Sequence, residues 1–172
     1  MKRCSQYKNL FMDRIAAVAV ALLLAAGTPS AAAQSTADVV GTWMFVSSVR
    51  DSDRGKIDTY GAGATGMMTL DAVGRYSIMI IGADLPKFAS GTLFRGTADE
   101  NAAVLGKSNA HFGTYAVSTE DRALTFRTDR GTFPNGDGSA QKRSFTLRND
   151  VLQYVIPLPS GGTSVVTWRR AK

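Results

Sequence analysis

Arg143 is the residue whose type and placing say most about chemistry. It precedes Phe145 and Leu147 in an alternating run, so its side chain takes the same side of a strand as theirs. A guanidinium on an apolar side is costly unless it is paired or wet. No acidic residue shares that side. One use is a cavity cation waiting for a ligand carboxylate, with Tyr115 and Tyr154 as hydroxyl partners. The other is a strand-end arginine reaching solvent along its own stem.

Other chemistries are bounded by what the chain contains. His111 is the single histidine and Cys4 the single cysteine, so two- and three-histidine metal sites and the usual zinc sets are excluded. A Ser-His-Asp triad would have to use His111, and no Gly-x-Ser-x-Gly elbow accompanies it. His111 can offer one axial nitrogen to a haem, or simply stand at a strand end. Gly61-Ala-Gly63-Ala-Thr-Gly66 matches a dinucleotide fingerprint in letters, but a strand rather than a helix follows it. Asn135-Gly-Asp137-Gly-Ser139 lacks the flanking Asp and closing Glu of a calcium loop and reads as a hairpin turn. The acidic pairs Asp51/Asp53, Asp99/Glu100 and Glu120/Asp121 fall in turns or at a helix start. Trp43 and Arg170 form a structural pair: if the first and last strands are neighbours, the guanidinium lies across the indole and plugs one barrel end. Arg169 takes that role if a bulge reverses the last strand's parity.

The elements that position these residues are short β runs between turns. They read 39–49, 65–70, 75–81, 111–117, 123–128, 143–148, 151–156 and 164–170, the spacing of an antiparallel sandwich or barrel. Residues 51–63 and 129–141 read as loops. Between the third and fourth strands, Thr97 can cap a short helix over 98–105 with Glu100 closing a capping box. Alternation puts Trp43, Phe45, Tyr76, Ile78, Ile80, Tyr115, Phe126, Phe145, Leu152, Tyr154 and Trp168 inward. Thr42, Ser48, Ser77, Thr114, Thr125, Arg127, Ser144, Thr146 and Gln153 point outward.

The N-terminus sets the expected compartment. Lys2, Arg3, Lys8 and Arg14 precede a short apolar run over 15–26, Pro29 breaks it, and Ala31-Ala32-Ala33 supplies a cleavage site before Gln34. The run is shorter than the roughly 20 residues a membrane-crossing helix needs. Residues 1–33 are therefore expected to be a signal peptide and the protein to be periplasmic or secreted. Cys4 lies ahead of the apolar run, so it is no lipoprotein cysteine. The chain has 20 basic and 14 acidic residues; without 1–33 it has 16 and 13, a net charge of +3. That balance gives no reason to expect nucleic-acid binding. The remainder is expected to fold on burial alone, without disulfides.

Specific motifs then point to a family. They are Gly41-Thr42-Trp43; Gly66; Asp71 with Gly74-Arg75-Tyr76-Ser77; Pro86-Lys87-Phe88-Ala89-Ser90-Gly91; Gly96-Thr97 with Asp99-Glu100; Gly113-Thr114-Tyr115; Phe133-Pro134-Asn135; Gln141, Arg143 and Phe145; and Trp168-Arg169-Arg170. Over 39–170 the chain resembles the lipocalin-like domain family of bacteria and fungi. The resemblance implies an eight-stranded barrel with an internal cavity and no common activity. The chain departs from the family where a fifth-strand histidine is replaced by Phe126, an aromatic by His111 and a tryptophan by Gly136. Loss of that histidine favours binding over catalysis.

The expectation is an all-β, single antiparallel up-and-down barrel of about eight strands. Residues 1–33 are the signal peptide, 34–38 a flexible leader and 39–172 the barrel. Phe45, Met68, Tyr76, Ile78, Ile80, Tyr115, Phe126, Arg143, Phe145 and Tyr154 are the expected ligand-binding residues. The partner is a small apolar or amphipathic molecule, a carboxylate suiting Arg143. No metal, cofactor, nucleic acid or membrane span after processing is expected. Two alternatives stay open: a small barrel enzyme of isomerase or cyclase type, and an exported inhibitor or interaction module with a filled barrel working through loop 129–141.

Overall fold

The computed structural model describes residues 35–172 except 53, 54 and 160. The expected signal peptide and its cleavage point lie outside the described residues. The strands are β1 (Gly41–Ser52), β2 (Gly55–Asp58), β3 (Thr65–Leu70), β4 (Arg75–Ile81), β5 (Ser108–Ser118), β6 (Ala123–Gly131), β7 (Ala140–Arg148), β8 (Val151–Pro157) and β9 (Thr163–Arg170). α1 (Thr36–Val39) precedes β1, and α2 (Ala98–Gly106) stands between β4 and β5. The order is β2-β1-β3-β4-β5-β6-β7-β8-β9, with β1 also paired to β9. That last pairing closes eight strands into an antiparallel barrel and leaves none of the eight with a bare edge.

Alternation predicts this architecture because each strand has one apolar side to bury. Trp43, Met68, Leu70, Ile78, Leu124, Phe126, Leu152, Tyr154 and Trp168 form one buried cluster with the other inward residues. The β3–β4 hairpin turns at Asp71–Gly74, where Gly74 takes φ +84° and Asp71 Oδ1 accepts from the backbone N–H of Val73 and Arg75. Gly113 sits where β5 shifts register against β6, and a Cβ there would lie 2.0 Å from the Arg127 carbonyl oxygen. Thr97 caps α2 as expected: its hydroxyl accepts from Glu100 N at 3.2 Å, and Glu100 Oε2 accepts from Thr97 N at 2.7 Å.

Four details differ from the sequence reading. Residues 51–63 are not all loop, because β1 runs on to Ser52 and pairs with β2, Ser52 Oγ donating to Gly55 O at 2.7 Å. With β2 counted, the helix lies between the fourth and fifth strands. Loop 129–141 is shorter, since β6 runs to Gly131 and pairs it with His111, and Pro134–Gly136 forms a 3-10 turn. Ser48 points inward, not outward: a bulge between Phe45 and Ser47 inserts one residue and inverts the later parity of β1. Residues 34–38, read as a leader, contain the start of α1, where Ser35 and Asp38 form a capping box.

Up-and-down order gives the barrel two unlike ends. At one, three tight turns meet the start of β1 and the end of β9. Here Arg170 Cζ stands 4.2 Å from the Trp43 ring centroid. Arg170 also donates to Val40 O (2.8 Å), Asp38 O (2.6 Å) and Asp150 Oδ1 (3.0 Å), while Trp43 Nε1 donates to Val39 O at 2.9 Å. The expected pair is therefore in contact, and Arg169 pairs with Met44 instead of capping the indole. The longer connections, with β2 and α2, gather at the other end.

Candidate ligand site in the barrel interior

Arg143 is the only charged residue among the buried ones described, at 6 % exposure. The strand-end reading is thereby overturned, since the side chain does not reach solvent. Its Cζ lies 4.9 Å from the Phe126 ring centroid and 4.8 Å from that of Tyr154, so an aromatic ring lies near it in each of two neighbouring strands. Its Nη2 donates to Gln141 Oε1 at 2.5 Å, the Tyr154 hydroxyl is a further hydrogen-bonding neighbour of the guanidinium, and its Nε has no hydrogen-bond partner. Those two N–H groups make up the parallel edge with which an arginine grips a carboxylate. Here that edge holds one neutral amide oxygen.

A chain of hydrogen bonds stands in the same interior. The Tyr76 hydroxyl is 2.9 Å from His111 Nδ1 and 3.0 Å from Thr128 Oγ1. Burial, and then the charge of Arg143, push the imidazole down to about 4. His111 is therefore neutral at pH 7. If Tyr76 donates to Nδ1, the ring proton sits on Nε2 and the Thr128 hydroxyl can donate to the Tyr76 oxygen. Burial raises the phenol pKa values of Tyr60, Tyr76 and Tyr154, and the charge of Arg143 opposes that rise in all three. Asp129, whose charge also reaches Tyr76, is an exterior residue bound to Arg75 at 3.0 Å. The cation thus has neutral surroundings, held by desolvation in the uncharged state.

Most of the expected site residues come together. Met68, Tyr76, Ile78, Ile80, Phe126, Phe145 and Tyr154 are buried in one cluster, with Phe45 packed against it. Tyr76 stacks edge-on against Phe126 and His111, and Phe45 bridges Tyr60 and Trp168 in the same manner. Tyr115 is the exception. It is buried, but its hydroxyl donates to Asp71 O at 2.6 Å, at the plugged end. Parity gave its side correctly and could not give its height along the barrel, so it is no partner of Arg143. His111, Thr128 and Gln141 belong to the site and were not assigned to it from sequence. The first two share parity with Tyr115 and Phe126, a signal that was available.

An open groove of about 370 Å³ runs along the seam of β4, β5 and β6, lined by Ser77, Met79, Phe112, Arg130 and Thr132 among others and reaching His111. Among the described residues, no three of His, Cys, Asp and Glu gather as a metal site. No described helix is long and apolar enough to cross a membrane.

A closed antiparallel barrel with a buried, carboxylate-free arginine is the class of protein that this geometry defines. The chain matches the model of the lipocalin-like domain over residues 40–171 and belongs to that family. No curated protein matches it. Among solved structures it is similar to a redesigned β-barrel, at 13% identity and TM-score 0.42, covering 83% of this chain and 100% of that one. It is also similar to a de novo designed fluorescence-activating β-barrel, at 15% identity and TM-score 0.39, covering 77% and 93%.

Proposed function

We propose that this chain is exported to the periplasm or the medium and binds a small amphipathic molecule inside the barrel, its anionic head on the Nε–Nη2 edge of Arg143. One observation carries this reading: a buried guanidinium with no carboxylate beside it and one N–H without an acceptor. Gln141 Oε1 occupies a place that one oxygen of a ligand carboxylate would take. A carboxylate would satisfy both N–H groups and neutralise the buried charge. The interior around it is lined by aromatic and aliphatic side chains, which suit an apolar ligand body.

The test uses two probes. A fluorescent fatty acid should bind roughly 10–100-fold more weakly to Arg143→Met, the size of a lost hydrogen bond to a charged group. A neutral apolar dye should bind the variant as well as the parent or better. Equal loss of both would make Arg143 a structural residue, and binding of neither would favour a filled barrel acting as an interaction module. Intact mass of the periplasmic and culture fractions tests export, with an N-terminus expected near Gln34.

The Tyr76–His111–Thr128 chain favours a second reading, an isomerase or cyclase. A neutral imidazole linked to a phenol can take a proton from a bound molecule and return it. Turnover of the bound molecule, absent in His111→Gln, would separate the enzyme from the binder.

A further inference from the structure

We propose that the outside of the barrel carries a thioether site for a soft monovalent cation, copper(I) or its analogue silver(I). The site is centred on Met67, with Met79 and Met44 on either side. Met44 is the register partner of Met67 in the β1–β3 ladder, and Met67 that of Met79 in the β3–β4 ladder. The three side chains therefore form one row across three adjacent strands, which lie about 4.8 Å apart. All three face outward, at 46 %, 37 % and 46 % exposure.

The row is an anomaly of composition. Outward positions on the other strands are mostly polar, among them Thr114, Thr125, Arg127, Ser144, Thr146 and Gln153, with Phe112 on β5 an exposed apolar exception. Of the four methionines among the described residues, three stand in this row, and Met68 alone is in the core. A thioether is a soft ligand that selects copper(I) over the harder divalent ions. Methionine's three rotatable bonds let a side chain lean over the neighbouring strand. Met67, in the middle, can be shared with either neighbour. The flanks are unequal: Met44 pairs onward with Arg169, whose charge opposes a cation, whereas Met79 pairs onward with Ala110. The Met67–Met79 half is thus the stronger one. This site lies outside the barrel and does not depend on what the interior holds.

Thioethers carry no proton at any ordinary pH, so binding should survive acidification that defeats imidazole and thiolate sites. The experiment is anaerobic competition for copper(I) against bicinchoninate, in the full chain carrying Cys4→Ser to remove its single thiol. One equivalent should bind, equally at about pH 7 and pH 5. Met67→Leu should abolish that equivalent, Met79→Leu should weaken it at least about tenfold, and Met68→Leu should leave it intact. Silver(I) should shift the S-methyl resonances of Met67 and Met79 but not Met68. The melting temperature of Met67→Leu, a substitution at a part-exposed site, reports whether the fold is kept. No bound equivalent in the parent would overturn the proposal, as would binding by well-folded Met67→Leu as tight as the parent's.

Discussion

The two ends of the barrel treat an arginine in opposite ways. At the plugged end Arg170 lies on an indole and donates to two backbone carbonyls and a carboxylate. At the level of Phe126 and Tyr154, Arg143 also lies against aromatic rings, yet its polar neighbours are a neutral amide and a neutral phenol, and Nε is left without an acceptor. The first arrangement is complete and serves the fold. The second costs stability through desolvation, and under the proposed function a ligand carboxylate completes it. The same residue type thus separates a structural site from a proposed binding site by what surrounds it.

Substitutions at the two ends should sharpen that contrast. Trp43→Ala removes the fully buried ring under Arg170 and should cost about 3–5 kcal/mol, a fall in melting temperature of roughly 10–20 °C. A change within error would mean that the plugged end is not the barrel's stabilising end. His111→Gln should change the pH dependence. Burial holds the folded imidazole down at about 4, against an ordinary histidine value of 6.5. Below pH 6.5 the unfolded chain takes up a proton that the folded barrel refuses. The stability present above pH 6.5 is therefore lost as pH falls to 4, by roughly 2–4 kcal/mol. Urea midpoints at several pH values should show that slope in the parent and a flatter one in the variant. A parent-like slope in the variant would assign the acid sensitivity to other groups.

Two smaller effects should differ in sign. Tyr115→Phe removes the bond to Asp71 O and should cost about 1 kcal/mol by urea unfolding. Arg143→Met should leave stability unchanged or raise it by up to about 1 kcal/mol, because an unmatched buried charge gives way to an apolar side chain. A large loss with Arg143→Met would erase the contrast between the two ends.

The sequence made the strands and their inward sides legible because alternation is a local property. It placed Arg143 with Phe145 and set Trp43 against Arg170. What it missed depends on long-range geometry. Ser48 is inverted by a bulge that no composition signal marks, and it meets Ser164, 116 positions away, at 3.3 Å. Tyr115 and Tyr154 share a side but not a level, and level follows from the stagger between strands. β2 escaped notice because four residues rich in charge and glycine carry no alternation. The methionine row needs three strands in register before it exists at all.

The β1–β9 seam also imposes an order in time. Trp43 is among the first residues of the domain to be made, and its partner Arg170 is among the last. Until the final strand arrives, β1 is paired only with β3 over Gly41–Met44 and with β2 over Val49–Ser52, while the edge that β9 takes stays bare and the indole lacks its guanidinium cover. Non-local closure of this kind is slow, because the loop-closure entropy is lost before the contacts form. A chain threaded through a membrane N-terminus first would therefore stay open, and fit for passage, until its last residues had crossed.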